Sequence, residues 1–291
     1  MGGNVSWSFW PFSTDVMVGD NPSGAKNTGS PPILPGTTAK QVEKDTVDDG
    51  TPAGKARADT YVQEQIKAGV FNADAIKAGN ESKPTAVDNR PPATTNTVKV
   101  DCTAIHGGYT MSTVLSGSIT LNDFINKLVA IGDCKQRAVP AQCGLTPDQI
   151  VCNLAQLCKN VWIPIKQKYP NASITNSLRT GDKIGAGPHG TGQGMDIQFN
   201  TPKGSSVPTR DYFDIAVWVR DNVAYDQIIL EYSTEHGYLV AWLHISIFGG
   251  PTTTAPGAEA PGYGKRTAIV NRVLTMMNHR VKTTGLANLG K

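Results

Sequence analysis

The chain has 291 residues, carries 27 Lys and Arg against 24 Asp and Glu for a net charge of +3, and contains 30 Gly and 19 Pro. Gly and Pro make up about one residue in six, against roughly one in eight in ordinary usage, which excludes a coiled coil or an all-helical bundle. The small net charge, with no concentrated basic face, argues against a nucleic-acid partner, and no apolar run of about eighteen residues offers a membrane span.

Residues 1–100 read as a long irregular N-terminal arm. Prolines recur from Pro11 to Pro92 among Gly, Ser, Thr and Asn, and apolar periodicity is weak. Such a composition buries too little apolar surface to offset chain entropy on its own. The first residues, MGGNVSWSFWPFSTD, have no basic n-region and no clean apolar core, so they are not read as a secretory signal. Trp7, Phe9, Trp10 and Phe12 cluster there instead. The expectation is an extended arm that becomes ordered on partner proteins, with one or two short helices over Asp59–Lys77.

Signals of a folded domain occupy residues 101–250. Thr120 with Asp123 resembles a capping box ahead of Phe124 and Ile125. Thr146-Pro147-Asp148-Gln149 is a stronger helix start, with Thr as cap, Pro at the first helical position and Gln three residues after the cap. Ile150, Leu154, Leu157 and Val161 follow at helical spacing, and Pro164 should kink or shorten that helix. A short strand (Ala172–Thr175), a Gly-rich loop and a strand (Met195–Phe199) come next. Thr209–Val223 reads as an amphipathic helix with Phe213, Ala216, Val217 and Val219 inward, ahead of strands over Asp226–Tyr232 and Leu239–Ile247. Residues 251–291 read as a linker and a final helix over Lys265–Val281. The predicted class is α+β, a small antiparallel sheet packed with helices.

Five cysteines, Cys102, Cys134, Cys143, Cys152 and Cys158, are odd in number and form no CxxC pair. They read as buried or incidental thiols of a reducing compartment, and not as a zinc ribbon.

The chemistry concentrates in Arg179–Phe199. Gly185-Ala186-Gly187-Pro188-His189-Gly190 formally matches the dinucleotide fingerprint, but that motif needs a strand before it and a helix after it. Here Pro188 interrupts the turn and a strand pattern follows, so the nucleotide reading is rejected. A metal site is the better reading. His189 and Asp196 lie seven residues apart, and His244 sits far downstream on a strand. Two imidazoles and a carboxylate suit catalytic Zn²⁺ with a fourth position left open.

Residues 120–246 resemble the zinc peptidases of the D-alanyl-D-alanine carboxypeptidase and dipeptidase family, which includes the L-alanyl-D-glutamate endopeptidases of phage endolysins. The resemblance is carried by His189, Gly192, Gly194 (where Ala is usual), Asp196 and Ile197 in register, and by Trp242 and His244 as the late motif. Ser177-Leu178-Arg179-Thr180 is similar to the family's Ser-x-Arg-Ser segment, and Leu154, Leu157, Asn160, Val161, Pro164 and Ile165 to its lead-in helix.

The resemblance implies a zinc peptidase core with His189, Asp196 and His244 as ligands. It implies that Arg179 stabilises oxyanion charge or holds a substrate carboxylate, and that Trp242, Gly192 and Gln193 contact substrate. The family places its base, Glu, three residues before the last ligand, and that position is Ala241 here. Glu231, on a strand expected to pair with the His244 strand, is the favoured substitute, ahead of Glu235 and His236. His106 and His279 read as surface or packing residues. The strand bearing Glu231 ahead of Trp-x-His resembles the phage tail-associated branch. The implied function is a Zn²⁺-dependent peptidoglycan peptidase on a phage tail or baseplate hub. It would be made in the host cytoplasm, dock on tail or baseplate proteins through its arm, and act in the periplasm or cell wall. The alternative is a catalytically inactive tail or baseplate protein that uses the same fold as a plug or wall-contact module.

Overall fold

Helix α1 (Pro52–Lys67) and helix α2 (Ala73–Glu81) open the described part of the chain, which in this computed structural model comprises residues 52–90, 100–102, 105, 107–125, 146–178, 188–189, 191–235, 237–247 and 272–290. Asn72 caps α2 by accepting the Ala75 amide at 2.8 Å. Tyr61, Val62, Phe71 and Ile76 bury one another between the two helices. Of the one or two short helices expected over Asp59–Lys77, two are present, and they extend past that range, α1 starting at Pro52 and α2 ending at Glu81. Residues 52–90, however, are not an extended arm waiting for another protein. The Asn72 amide donates to the Glu235 carbonyl, Thr234 Oγ1 donates to the Ala75 carbonyl, and Arg280 pairs with Asp59. Strand β1 (Ala86–Asp88) then pairs antiparallel with β10 (Leu286–Asn288) near the other end of the chain. This partner lies more than 190 residues away along the chain, which no local pattern reveals. The arm expected over residues 1–51 lies outside the described residues.

Asp88 fastens this segment further. It pairs with Arg90 and with Arg220, whose side chain is only 1 % exposed. Hydrogen bonds from Arg90, then Arg220, hold the Asp88 carboxyl well below the usual carboxylate range.

A short ladder of β2 (Val114–Ser116) and β3 (Ile119–Thr120) leads into a 3₁₀ turn at Leu121–Asp123. Its capping box is formed as expected from Thr120 and Asp123. Helix α3 (Pro147–Leu157) begins with the second box, in which the Thr146 amide donates to Gln149 Oε1 at 2.9 Å. The break expected from Pro164 takes a definite form. Cys158–Trp162 widens into a π-helical turn before α4 (Ile163–Lys168), with the Ile163 amide reaching back to the Cys158 carbonyl. Pro164 has no N–H for the Asn160 carbonyl and its ring would clash with it, so the helix opens by one residue there.

The main sheet has six strands in the order β4-β5-β7-β6-β8-β9. They are β4 (Ser173–Asn176), β5 (Gly194–Gln198), β6 (Gln227–Ser233), β7 (Val240–Ser246), β8 (Arg272–Met277) and β9 (Arg280–Thr284). Two expectations are corrected here. The sheet is mixed, because β6 and β8 run parallel. The C-terminal segment is also a hairpin and not a helix: residues 272–277 and 280–284 are strands, and residues 265–271 lie outside the described residues. Val273, Met277 and Val281 sit at helical spacing, but Asn278 and His279 take φ of 50° and 65°. Two left-handed residues in a row make the tight turn that joins antiparallel strands. His279 occupies a position that usually favours Gly. It is held by Glu235 at 2.6 Å and by the rings of Tyr61 and Phe71, at 5.6 and 6.5 Å. The packing role expected of it is the one found.

Helices α3, α4 and α5 (Asp211–Asn222) cover one face of the sheet. Leu154, Leu157, Val161, Ile165, Ala216 and Val219 meet Met195, Ile197, Ile228, Leu230, Leu243 and Ile245. On α5 the deepest residues are Tyr212, Ile215, Ala216 and Val219, with Phe213 and Val217 only partly buried. Alternation therefore puts Asp196, Ile229, Glu231, Trp242 and His244 on the opposite face. No helix among the described residues is long and apolar enough to cross a membrane.

The cysteine expectation is also revised. Cys102 and Cys152 form a disulfide across a Cα separation of 5.6 Å. Burial pushes the thiol of free Cys158 up to about 12. Cys134 and Cys143 lie outside the described residues.

Candidate metal centre

Asp196 and His244 come together because β5 and β7 pair antiparallel with these two residues as Cα partners. Directly opposed side chains on one face have Cβ atoms about 4.5–5.5 Å apart. Asp196 Oδ1 lies 3.0 Å from His244 Nδ1. The third member, His189, precedes β5 and brings its Nε2 to 3.2 Å from His244 Nδ1 and 3.5 Å from Asp196 Oδ1. All three side chains are buried, between 0 and 3 % exposed.

The other ring nitrogen of His189 fixes its orientation. Nδ1 lies 2.6 Å from the Ser177 carbonyl oxygen. A carbonyl only accepts, so Nδ1 carries a proton, and Nε2 is the ring nitrogen turned toward Asp196 and His244 as the ligating atom. Ser177 follows β4, and its own hydroxyl donates to the Gly194 carbonyl on β5 at 3.5 Å. Gly194 matters in a second way. A Cβ on it would lie 3.0 Å from Pro188 Cβ and 3.3 Å from the His189 amide nitrogen. A bare backbone at 194 lets the His189 segment lie close against β5.

These three donor atoms lie close enough to hold one metal ion. Donors about 2.0–2.1 Å from a tetrahedral centre stand about 3.3–3.4 Å from one another, and the observed separations of 3.0, 3.2 and 3.5 Å bracket that value. A proton on His244 Nδ1 serves only one of its two neighbours well, whereas one divalent cation serves all three. The donor set therefore fits a metal.

Among the other site residues expected from sequence, Glu231 and Trp242 lie on the ligand face. They are cross-strand partners of each other on β6 and β7, and are 2 % and 6 % exposed. Ala241 alternates with Trp242 and packs in the helix-side core, so a carboxylate at 241 would point away from His244. Gly192 and Gln193 are held in place by the protein itself. Gly192 takes a φ of +74°, and a Cβ on it would lie 3.1 Å from the Ile150 carbonyl oxygen of α3. Gln193 accepts from Thr191 Oγ1 at 2.7 Å, and alternation sets it opposite in sense to Asp196. Glu235 belongs to the His279 pair. Arg179, His106 and His236 lie outside the described residues.

Two supporting residues were not assigned a role from sequence, the Ser177 carbonyl and Asn153. The signal for Asn153 was present, since it is an amide on the apolar stripe of Ile150, Leu154 and Leu157.

The fold and site together define an α+β protein with a buried two-histidine, one-aspartate cluster able to hold a metal ion. No family model, no curated protein and no solved structure matches this chain.

Proposed function

We propose that this chain is a zinc-dependent peptidase that cuts the peptide stem or cross-link of bacterial peptidoglycan. The observation that carries the reading is the donor triangle of His189 Nε2, Asp196 Oδ1 and His244 Nδ1, with sides of 3.0–3.5 Å. Two imidazoles and one carboxylate, with a fourth position open, are a donor set of catalytic zinc. Zinc bound there would polarise the scissile carbonyl and lower the pKa of water to about 7.

The chain's own residues divide the remaining work. Glu231 accepts the proton of the attacking water and returns it to the leaving amine, a contribution of about 10²–10⁴-fold. Its place on the ligand face supports this role, and the inward direction of position 241 accounts for Ala there. Trp242 walls the cleft beside Glu231. Arg179 neutralises the developing oxyanion or a substrate carboxylate.

The sequence resemblance to the phage tail-associated branch supports a location on a tail or baseplate hub. There the enzyme would open the host wall locally during infection, with residues 1–51 docking on tail or baseplate proteins. The protein would be made in the host cytoplasm, and the Cys102–Cys152 disulfide agrees with action in the periplasm or wall, since such bonds persist in oxidising compartments.

The test is zinc content together with release of stem peptides from purified sacculi. Wild type should hold one zinc and release peptides, and Glu231→Gln should keep the zinc while losing at least a hundredfold in rate. A second reading, an inactive plug or wall-contact module built on the same fold, is favoured by the near-complete burial of the three ligands. Protein that holds zinc yet leaves sacculi uncut would select it.

A further inference from the structure

Two of the three donor atoms need no special device to meet. Asp196 and His244 are held by the β5–β7 ladder, whose register fixes their Cα atoms as partners. His189 belongs to no strand. The shape of its segment is set by local bonds. The Gln193 amide donates to the Pro188 carbonyl at 2.8 Å, and Thr191 Oγ1 lies 3.2 Å from the same oxygen. Such bonds within the segment do not decide where it sits over the sheet.

Helix α3 supplies that. Asn153 is completely buried, and its Nδ2 donates to the Thr191 carbonyl at 2.8 Å across 38 residues of sequence. One residue further on, Gly192 lies against the same helix, where a Cβ would stand 3.1 Å from the Ile150 carbonyl oxygen and 3.2 Å from Leu154 Cγ. An apolar residue at 153 would complete the stripe formed by Ile150, Leu154 and Leu157. A buried amide there is costly unless its hydrogen bonds are made, and the bond to Thr191 is one that it makes.

We infer that Asn153 is a positioning residue for the metal centre, holding His189 Nε2 in the donor triangle through the Thr191 carbonyl. The inference rests on the metal reading above and adds that affinity for the metal is set partly from α3. Outer-shell partners of metal ligands are typically worth 10–100-fold in affinity. Asn153 acts one step further out, through the backbone, so the lower end applies. The expected loss on Asn153→Ala is about tenfold, equivalent to about 1.4 kcal/mol.

The experiment uses the full chain stripped of metal and titrated with Zn²⁺ against a chromophoric chelator, and separately with Co²⁺ while the visible spectrum is read. Asn153→Ala and Asn153→Leu, which both lack the amide donor to the Thr191 carbonyl, are compared with wild type and with Cys102→Ser. The last removes the disulfide at the neighbouring α3 residue Cys152 without touching the His189 segment. Expected are about tenfold weaker Zn²⁺ binding and an altered Co²⁺ spectrum in the first two variants. Cys102→Ser should show a lower melting temperature with unchanged affinity. Wild-type affinity in both Asn153→Ala and Asn153→Leu overturns the inference, as does an equal loss of affinity in Cys102→Ser. Should Asn153→Ala fail to fold, Asn153→Leu, which completes the apolar stripe of α3 and lacks the amide donor, decides alone. Wild type that binds no metal removes the metal reading itself, and this inference with it.

Discussion

Replacing Asp196 by Asn separates the metal reading from a purely structural one, because the two predict different results with and without zinc. The side chain is 3 % exposed and its Oδ1 lies 3.0 Å from His244 Nδ1. Asn keeps the shape and an accepting oxygen, so the metal-free protein exchanges a hydrogen bond to a charged group for one to a neutral group. That exchange costs about 1 kcal/mol, and relief of a buried charge offsets part of it. With zinc at a hundred times its dissociation constant, wild type gains about 2.7 kcal/mol. Loss of the carboxylate should weaken binding by at least the hundredfold that losing an outer-shell partner can cost. At the same zinc concentration the variant then gains only about 0.4 kcal/mol. For a chain of this size 1 kcal/mol corresponds to about 2–4 °C. Wild type should therefore melt roughly 5–11 °C higher with zinc than with chelator, and Asp196→Asn only about 1–2 °C higher. Differential scanning calorimetry of both proteins in zinc and in chelator makes the comparison. Equal zinc-induced shifts in the two proteins would refute the assignment of Asp196 as a ligand.

Three further outcomes are expected. Cys102 and Cys152 are 50 residues apart, and the chain-entropy model assigns a loop of that length about 4 kcal/mol. Reduction should lower the melting midpoint by roughly 8–16 °C, and a midpoint indifferent to reductant would show that the bond does not form. Asp88→Asn should destabilise the protein at neutral pH by removing the partner of Arg90 and Arg220. The folded carboxyl is depressed, so its contribution is present above the unfolded value of about 3.9 and fades as pH falls below it. The gap between wild type and variant in urea melts should narrow below about pH 4. Glu235→Ala leaves His279 buried without its carboxylate and should cost about 1–3 kcal/mol. The double variant with His279→Ala should recover part of that, and strict additivity in the cycle would deny the pairing.

The local signals were legible where the physics is local. The Thr146–Gln149 and Thr120–Asp123 boxes formed because a cap satisfies amides within one turn, whatever the rest of the chain does. Pro164 disrupted its helix for an equally local reason, a missing N–H. The hairpin at residues 272–284 was misread because apolar residues at helical spacing also serve alternating strands. What decided between them was parallel pairing of β8 with β6 and a left-handed Asn278-His279 turn held by Glu235, Tyr61 and Phe71.

The sequence alone determined the α+β class, because helix and strand periodicity are properties of the chain itself, and its resemblance to a zinc-peptidase motif singled out His189, Asp196 and His244 as the residues able to ligate a metal. It did not determine that residues 52–90 belong to the folded body, nor which residues hold the ligands in place. Those depend on contacts between segments far apart in sequence. Asn153 meets Thr191, the Ser177 carbonyl meets His189, and β1 meets β10. A hydrogen bond across tens of residues leaves no periodic trace in the sequence. The donor triangle with sides of 3.0–3.5 Å exists only once strand register and the packing of α3 have placed its three corners.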